Sequence, residues 1–131
     1  METIDGVELI DFFNSAKRQD EKYLRFVFHK VIHGMMELHG AGVSHRDIKP
    51  ENIMLTSDYN VKIIDLGYGV KLAGRKTDGF NRTKLGTEGY MAPEIVNEEP
   101  YQGQDIDLFA LGVMMLVLRL MDYPFDVADK R

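Results

Sequence analysis

His45-Arg46-Asp47-Ile48-Lys49-Pro50-Glu51-Asn52 is the stretch on which the fold turns: a polar run, punctuated by Pro50, between apolar segments of different period. Upstream, Leu24, Val27, Phe28, Val31, Met35 and Leu38 recur at spacings of three and four, which predicts one amphipathic helix over 20–40. Gly40 and Gly42 stop it. Downstream, Asn52 to Leu55 and Val61 to Ile64 are short apolar runs around the turn-rich Thr56-Ser57-Asp58-Tyr59-Asn60, which predicts a hairpin. Asp65 to Thr87 is rich in Gly, Lys, Arg and Thr without periodicity and reads as one long loop, a length that usually carries function. Asp107 to Met121 reads as a fully buried helix, with Pro124 in the turn after it. Residues 2–16 read as a strand end and a helix with Leu9, Ile10, Phe12 and Phe13 as its apolar positions. The fold class is therefore mainly α, with a short β-hairpin that is too small to form a sheet of its own.

Composition narrows the function classes. The chain has 131 residues, 44% of them hydrophobic and 28% charged, an ordinary globular mix. Its formal net charge of -5 argues against sequence-independent nucleic-acid binding. With no cysteine there is no disulfide framework, zinc-thiolate site or thiol nucleophile. Met1-Glu2-Thr3-Ile4-Asp5 has neither a basic nor an apolar region and is no secretory signal. The longest apolar run, Leu108 to Leu118, falls short of the roughly 18–20 residues that span a bilayer, so no membrane partner is expected. His29 and His33 stand at i, i+4, but lack the Glu of a zinc helix and any evident third ligand; they read as solvated helix histidines.

The polar run belongs to a larger pattern. His45-Arg46-Asp47 with Lys49 and Asn52, then Asp65-Leu66-Gly67, then Gly86-Thr87-Glu88-Gly89-Tyr90 and Ala92-Pro93-Glu94, resembles the catalytic half of a eukaryotic-type serine/threonine protein kinase. Agreement at so many fixed positions in this order reverses the ordinary expectation that each polar residue is merely solvated. The resemblance implies ATP as phosphoryl donor, Mg²⁺ as cofactor and a protein substrate. Phosphoryl transfer is mostly positioning plus charge stabilisation, and the residue types suit it. Asp47 would accept the proton of the attacking hydroxyl. Lys49 would neutralise charge developing in transfer, and its place two residues after Asp47 marks serine/threonine specificity. Asn52 and Asp65 would hold Mg²⁺, which prefers oxygen ligands. In the family the threonine matching Thr87 contacts both the aspartate and the lysine.

The resemblance also implies boundaries. Residues 1–7 match the hinge between lobes, 43–52 the catalytic loop and 65–94 the activation segment, so the expected architecture is a large-lobe fragment lacking the small lobe and truncated at both ends. Met1 would be the gatekeeper, the backbone of Glu2 and Ile4 would meet adenine, Glu8 the ribose, and Met54 the floor under the base. Leu66 replaces the family's phenylalanine and is expected to remain an apolar plug behind Asp65. Phe109 stands where the family often has tryptophan. Asp107 resembles the helix aspartate that holds the catalytic-loop backbone, although it also suits a helix N-cap. Glu94 is expected to lack its usual arginine partner. Arg46 and Thr83 match the arginine and phosphothreonine of activation, which implies an upstream kinase acting on Thr83, with Lys71 as a second cation. The missing glycine loop and lysine strand leave an alternative: a catalytically dead, kinase-derived binding or scaffold module. The expected location is the cytoplasm, or else the nucleus.

Overall fold

The structure, a computed structural model, describes residues 5–15, 20–71 and 80–125. Strand β1, Gly6–Glu8, leads directly into helix α1, Leu9–Ser15. Helix α2 runs Glu21–Gly40, and Asp20 caps it by accepting the Lys22 N–H at 3.0 Å. Gly42, at φ 72°, reverses the chain in the left-handed region that favours glycine. Leu24, Val27, Phe28, Val31 and Met35 are buried on one face of α2, as the spacing predicts. Burial contributes roughly 1.5–3 kcal/mol per side chain, well above the few tenths that β-branched Val27 and Val31 cost in helix propensity.

The hairpin forms, and it is not alone. Strands β3, Ile53–Thr56, and β4, Val61–Ile63, pair antiparallel, and β1 pairs with the other edge of β3 to give the order β1-β3-β4. The third strand supplies the neighbour that the isolated hairpin was expected to need from elsewhere in the fold. The described residues between Asp65 and Thr87 form more than a plain loop: strand β2, Val43–Ser44, pairs with β5, Val70–Lys71, and Asn81 bridges to Tyr101.

The remaining helices are α3, Pro93–Val96, and α4, Gly103–Leu120. The α4 boundaries correct the sequence reading. The helix starts four residues before Asp107, so Asp107 is not its N-cap; Met121 lies beyond it in the left-handed region at φ 55°. Gly103 can open the helix because it lacks a Cβ, which would collide with the Ser44 side chain. Nor is α4 buried all round. Ile106, Asp107, Ala110, Leu111, Val113, Met114, Val117 and Leu118 face the interior, whereas Leu108, Met115, Leu116 and Leu120 are exposed. An apolar run without polar punctuation hides that division. The main core joins α1, α2 and α4 through Leu9, Phe13, Val27, Val31, Met114 and Leu118. Phe109 packs at the edge of this core and of the smaller cluster formed by Met91, Ala92, Ile95, Tyr101 and Ile106.

Candidate active site

The 43–52 segment leaves α2 through β2, crosses over α4 and returns to the sheet through a 3-10 turn at Pro50–Asn52. Its backbone is tied from beneath. Asp107, fully buried on α4, accepts the His45 N–H on Oδ2 at 2.8 Å and the Arg46 N–H on Oδ1 at 2.7 Å. His39 Nε2, from the last turn of α2, lies 2.8 Å from the same Oδ2. The His45 ring is buried, with Nε2 2.8 Å from the Ile64 carbonyl, while its Nδ1 accepts the Asp47 N–H at 3.2 Å. Arg46 is held at φ 68°, a conformation that costs a non-glycine residue about 1–3 kcal/mol and persists only where surrounding bonds impose it. The two Asp107 acceptors and the Arg46 Nε bond to the Tyr68 carbonyl, at 2.7 Å, impose it here.

Above that base stand four of the expected residues. The Thr87 hydroxyl donates to Asp47 Oδ1 at 2.7 Å and accepts from Lys49 Nζ at 2.8 Å. Lys49 Nζ is also 3.4 Å from Asp47 Oδ2. Asn52 Nδ2 donates to the Asp47 carbonyl at 2.8 Å and to Asp47 Oδ2 at 3.2 Å. Asp47 and Asn52 are buried, and Lys49 and Thr87 half-buried. A carboxylate has about four acceptor positions, so these donors leave Asp47 room for one more proton donor. Asp47 and Thr87 stand forty residues apart in the chain, and Gly86 turns the backbone between them at φ 114°, where a Cβ would stand only 3.1 Å from the Arg46 carbonyl oxygen. Behind this group Tyr90 is buried, and desolvation, followed by its hydrogen bond with Tyr123, holds its hydroxyl neutral far above the usual tyrosine range.

Asp65 is placed differently. It follows Ile64, just past β4, whose N–H donates to the Asn52 carbonyl at 2.9 Å, so the Asp65 backbone is near Asn52. Its side chain is exposed, at φ 60°, and accepts the Gly67 N–H on Oδ1 at 3.1 Å. Leu66 is not a buried plug: it is 51% exposed, because the turn Leu66–Gly69 swings it outward. The donor set nevertheless suits Mg²⁺. Asn52 spends its amide nitrogen on Asp47, which leaves Oδ1 to face a ligand, and Asp65 offers a carboxylate. Among the described residues no cluster of three His, Cys, Asp or Glu could hold a metal. One carboxylate and one amide oxygen, completed by phosphate and water, is the kind of partial cage Mg²⁺ uses.

Glu2 and Ile4 lie outside the described residues. Glu8 is exposed at the end of β1 and stands opposite the half-buried Met54 of β3 in the antiparallel register, which brings the expected ribose and base contacts together. The regulatory pair is not joined. Arg46 is engaged with Tyr68, Lys71 is exposed on β5, and exposed Thr83 offers only its carbonyl, to the Tyr101 hydroxyl at 2.7 Å. Glu94 is half-buried, and among the described residues no ion pair reaches it. The sequence reading passed over His39. Its only cue was a histidine in the last turn of a helix, where the dipole alone would account for it.

Comparison with known proteins covers the whole chain. A family model described as "Protein kinase domain" matches residues 1–131. "CBL-interacting serine/threonine-protein kinase 3" of Arabidopsis thaliana is 38% identical over 126 residues, which is 96% of this chain and 29% of that protein. "CBL-interacting protein kinase 9" of Oryza sativa subsp. japonica is 36% identical over 126 residues, and "NUAK family SNF1-like kinase 1" of Homo sapiens is 37% identical over 131 residues. The chain spans 28% and 19% of those two relatives.

Proposed function

The chain belongs to the protein kinase domain family, and on that premise we propose that it is the large-lobe part of an ATP- and Mg²⁺-dependent kinase that phosphorylates serine and threonine hydroxyls of protein substrates. The observation that carries the reading is the Thr87 hydroxyl bridging Asp47 and Lys49. That bond links the segment after the long loop to the 43–52 segment, so the polar groups form one preorganised cluster and not a set of separately solvated side chains.

In this reading Asp47 accepts the proton of the substrate hydroxyl while its oxygen forms the new bond to the γ-phosphorus and the bridging oxygen leaves with ADP. Lys49 sits where it can neutralise charge on the transferring group. Thr87 holds the carboxylate and the ammonium in fixed relation, and Asn52 orients Asp47 through its amide N–H groups. Asn52 and Asp65 would hold Mg²⁺, whose contribution when bound is to neutralise triphosphate charge. Glu8 and Met54, with the backbone of Glu2 and Ile4, would take the nucleoside. Phosphorylation of Thr83 by an upstream kinase would bring it toward Arg46. A cytoplasmic or nuclear setting suits a phosphoryl donor that is abundant there.

The test is label transfer from γ-³²P-ATP with Mg²⁺ to serine- and threonine-containing peptides. The protein that carries this lobe should transfer label, and Asp47→Asn in it should lower kcat by about 10²–10⁴-fold, the usual worth of a general base. No transfer by that unaltered protein, or equal transfer by both, would overturn the reading.

A further inference from the structure

We propose that His29 and His33, on the exposed face of α2, form a two-histidine site for a borderline divalent transition ion of the Cu²⁺, Ni²⁺ or Zn²⁺ class. Their i, i+4 spacing puts both rings on one side of the helix, one turn apart. The ring centres are 4.6 Å apart and the planes are tilted by 53°. An imidazole binds zinc at about 2.0–2.1 Å, which puts its ring centre roughly 3.2 Å from the ion. Two such rings on adjacent positions, roughly 90–109° apart about the ion, then have centres about 4.5–5.2 Å apart. The observed separation lies in that interval, so the helix spaces the pair for chelation before an ion arrives. The chain has four histidines and no cysteine. His39 is bonded to Asp107, and His45 to the Ile64 carbonyl and the Asp47 N–H, which leaves His29 and His33 as the exposed imidazoles open to a ligand. The nearest cations are drawn elsewhere: Arg25 Nη2 pairs with Glu21 at 2.9 Å, and Lys30 Nζ donates to Asn60 Oδ1 at 3.3 Å. The missing glutamate excludes a metalloprotease-type centre but not a two-ligand one. Water completes the shell, since among the described residues no group of three His, Cys, Asp or Glu forms a fuller one. Neutral imidazole selects against Mg²⁺, which prefers oxygen.

Metal binding on α2 is independent of phosphate transfer, so the test uses metal ions alone on the whole chain. Cu²⁺ should bind one to one, with an electron paramagnetic resonance spectrum split by two imidazole nitrogens. Its affinity should exceed those of Zn²⁺ and Ni²⁺, and excess Mg²⁺ should not displace it. His29→Ala and His33→Ala should each weaken Cu²⁺ binding at least about 10-fold and leave one coupled nitrogen, because the second imidazole no longer binds intramolecularly. Both positions are exposed, so the helix content seen by circular dichroism should not change. In the unaltered chain, Zn²⁺ should shift the NMR signals of the His29 and His33 rings and spare those of His39 and His45. One coupled nitrogen in the unaltered chain, unchanged affinity in both alanine variants, or shifts centred on His39 or His45 would overturn the proposal.

Discussion

Two neighbouring loops line the same site and are built in opposite ways. The segment His45–Asn52 is mostly buried; its backbone bonds to α4, its His45 ring to the Ile64 carbonyl just past β4, and its Asp47 carboxylate to Thr87. The segment Asp65–Gly69 exposes its aspartate, Leu66 and Tyr68, and its bonds are mostly local, Gly67 N–H to Asp65 and Gly69 N–H to the Leu66 carbonyl. Preorganisation is concentrated in the first of the two. Groups that must orient a proton acceptor are fixed by the fold, because a carboxylate aimed wrongly is of no use to an attacking hydroxyl. Asp65, the proposed metal ligand that lies outside the first segment, is left accessible.

The sharpest way to break this contrast is beneath the first loop. Asp107→Ala leaves the His45 and Arg46 N–H groups without acceptors in a dry interior, and at about 1–3 kcal/mol for each orphaned donor should cost roughly 3 kcal/mol in urea denaturation. A loss below about 1 kcal/mol would show that the loop does not depend on α4. A smaller effect, confined to activity, is expected at Thr87. Thr87→Ala should lower kcat about 10–100-fold, as expected for lost hydrogen bonds to charged groups, and Thr87→Ser should recover to within about threefold. Equal rates for alanine and serine would remove the hydroxyl from the argument. The least effect belongs to the second loop: Leu66→Ala, at a half-exposed side chain, should move the urea midpoint by less than about 0.5 kcal/mol equivalent. A larger loss would mean that Leu66 does pack as a plug, and the two loops would be more alike than the structure makes them.

Local pattern made much of the frame legible. The three- and four-residue spacing from Leu24 to Leu38 gave α2, and Asp20 and Gly42 bound it for ordinary capping and turn reasons. The two runs around Thr56–Asn60 gave the hairpin. Other features were hidden because they are pairings between distant segments. Nothing local in Gly6–Glu8 shows that it will lie beside β3, or that Val43–Ser44 will meet Val70–Lys71. Asp107 illustrates the limit well. An aspartate near an apolar run suits an N-cap as readily as an internal acceptor, and only the arrival of the His45 and Arg46 N–H groups decides between them.

By itself, then, the sequence determined which residue types are available and in what order: Asp47, Lys49, Asn52 and Asp65 around a hairpin, with Thr87 beyond a long connection. It could do so because the motif is made of side-chain chemistry at fixed local spacing. Which of them touch is settled by the tertiary structure, and the contact of Thr87 with Asp47 and Lys49 is the one the resemblance also implied. Asp47 meets Thr87 across forty residues, Asp107 comes under the loop with His39 at its side, and Leu66 turns to solvent. The reason is physical: hydrogen bonds and burial depend on distance in space, and only packing α2 against α4 brings those distant groups within reach.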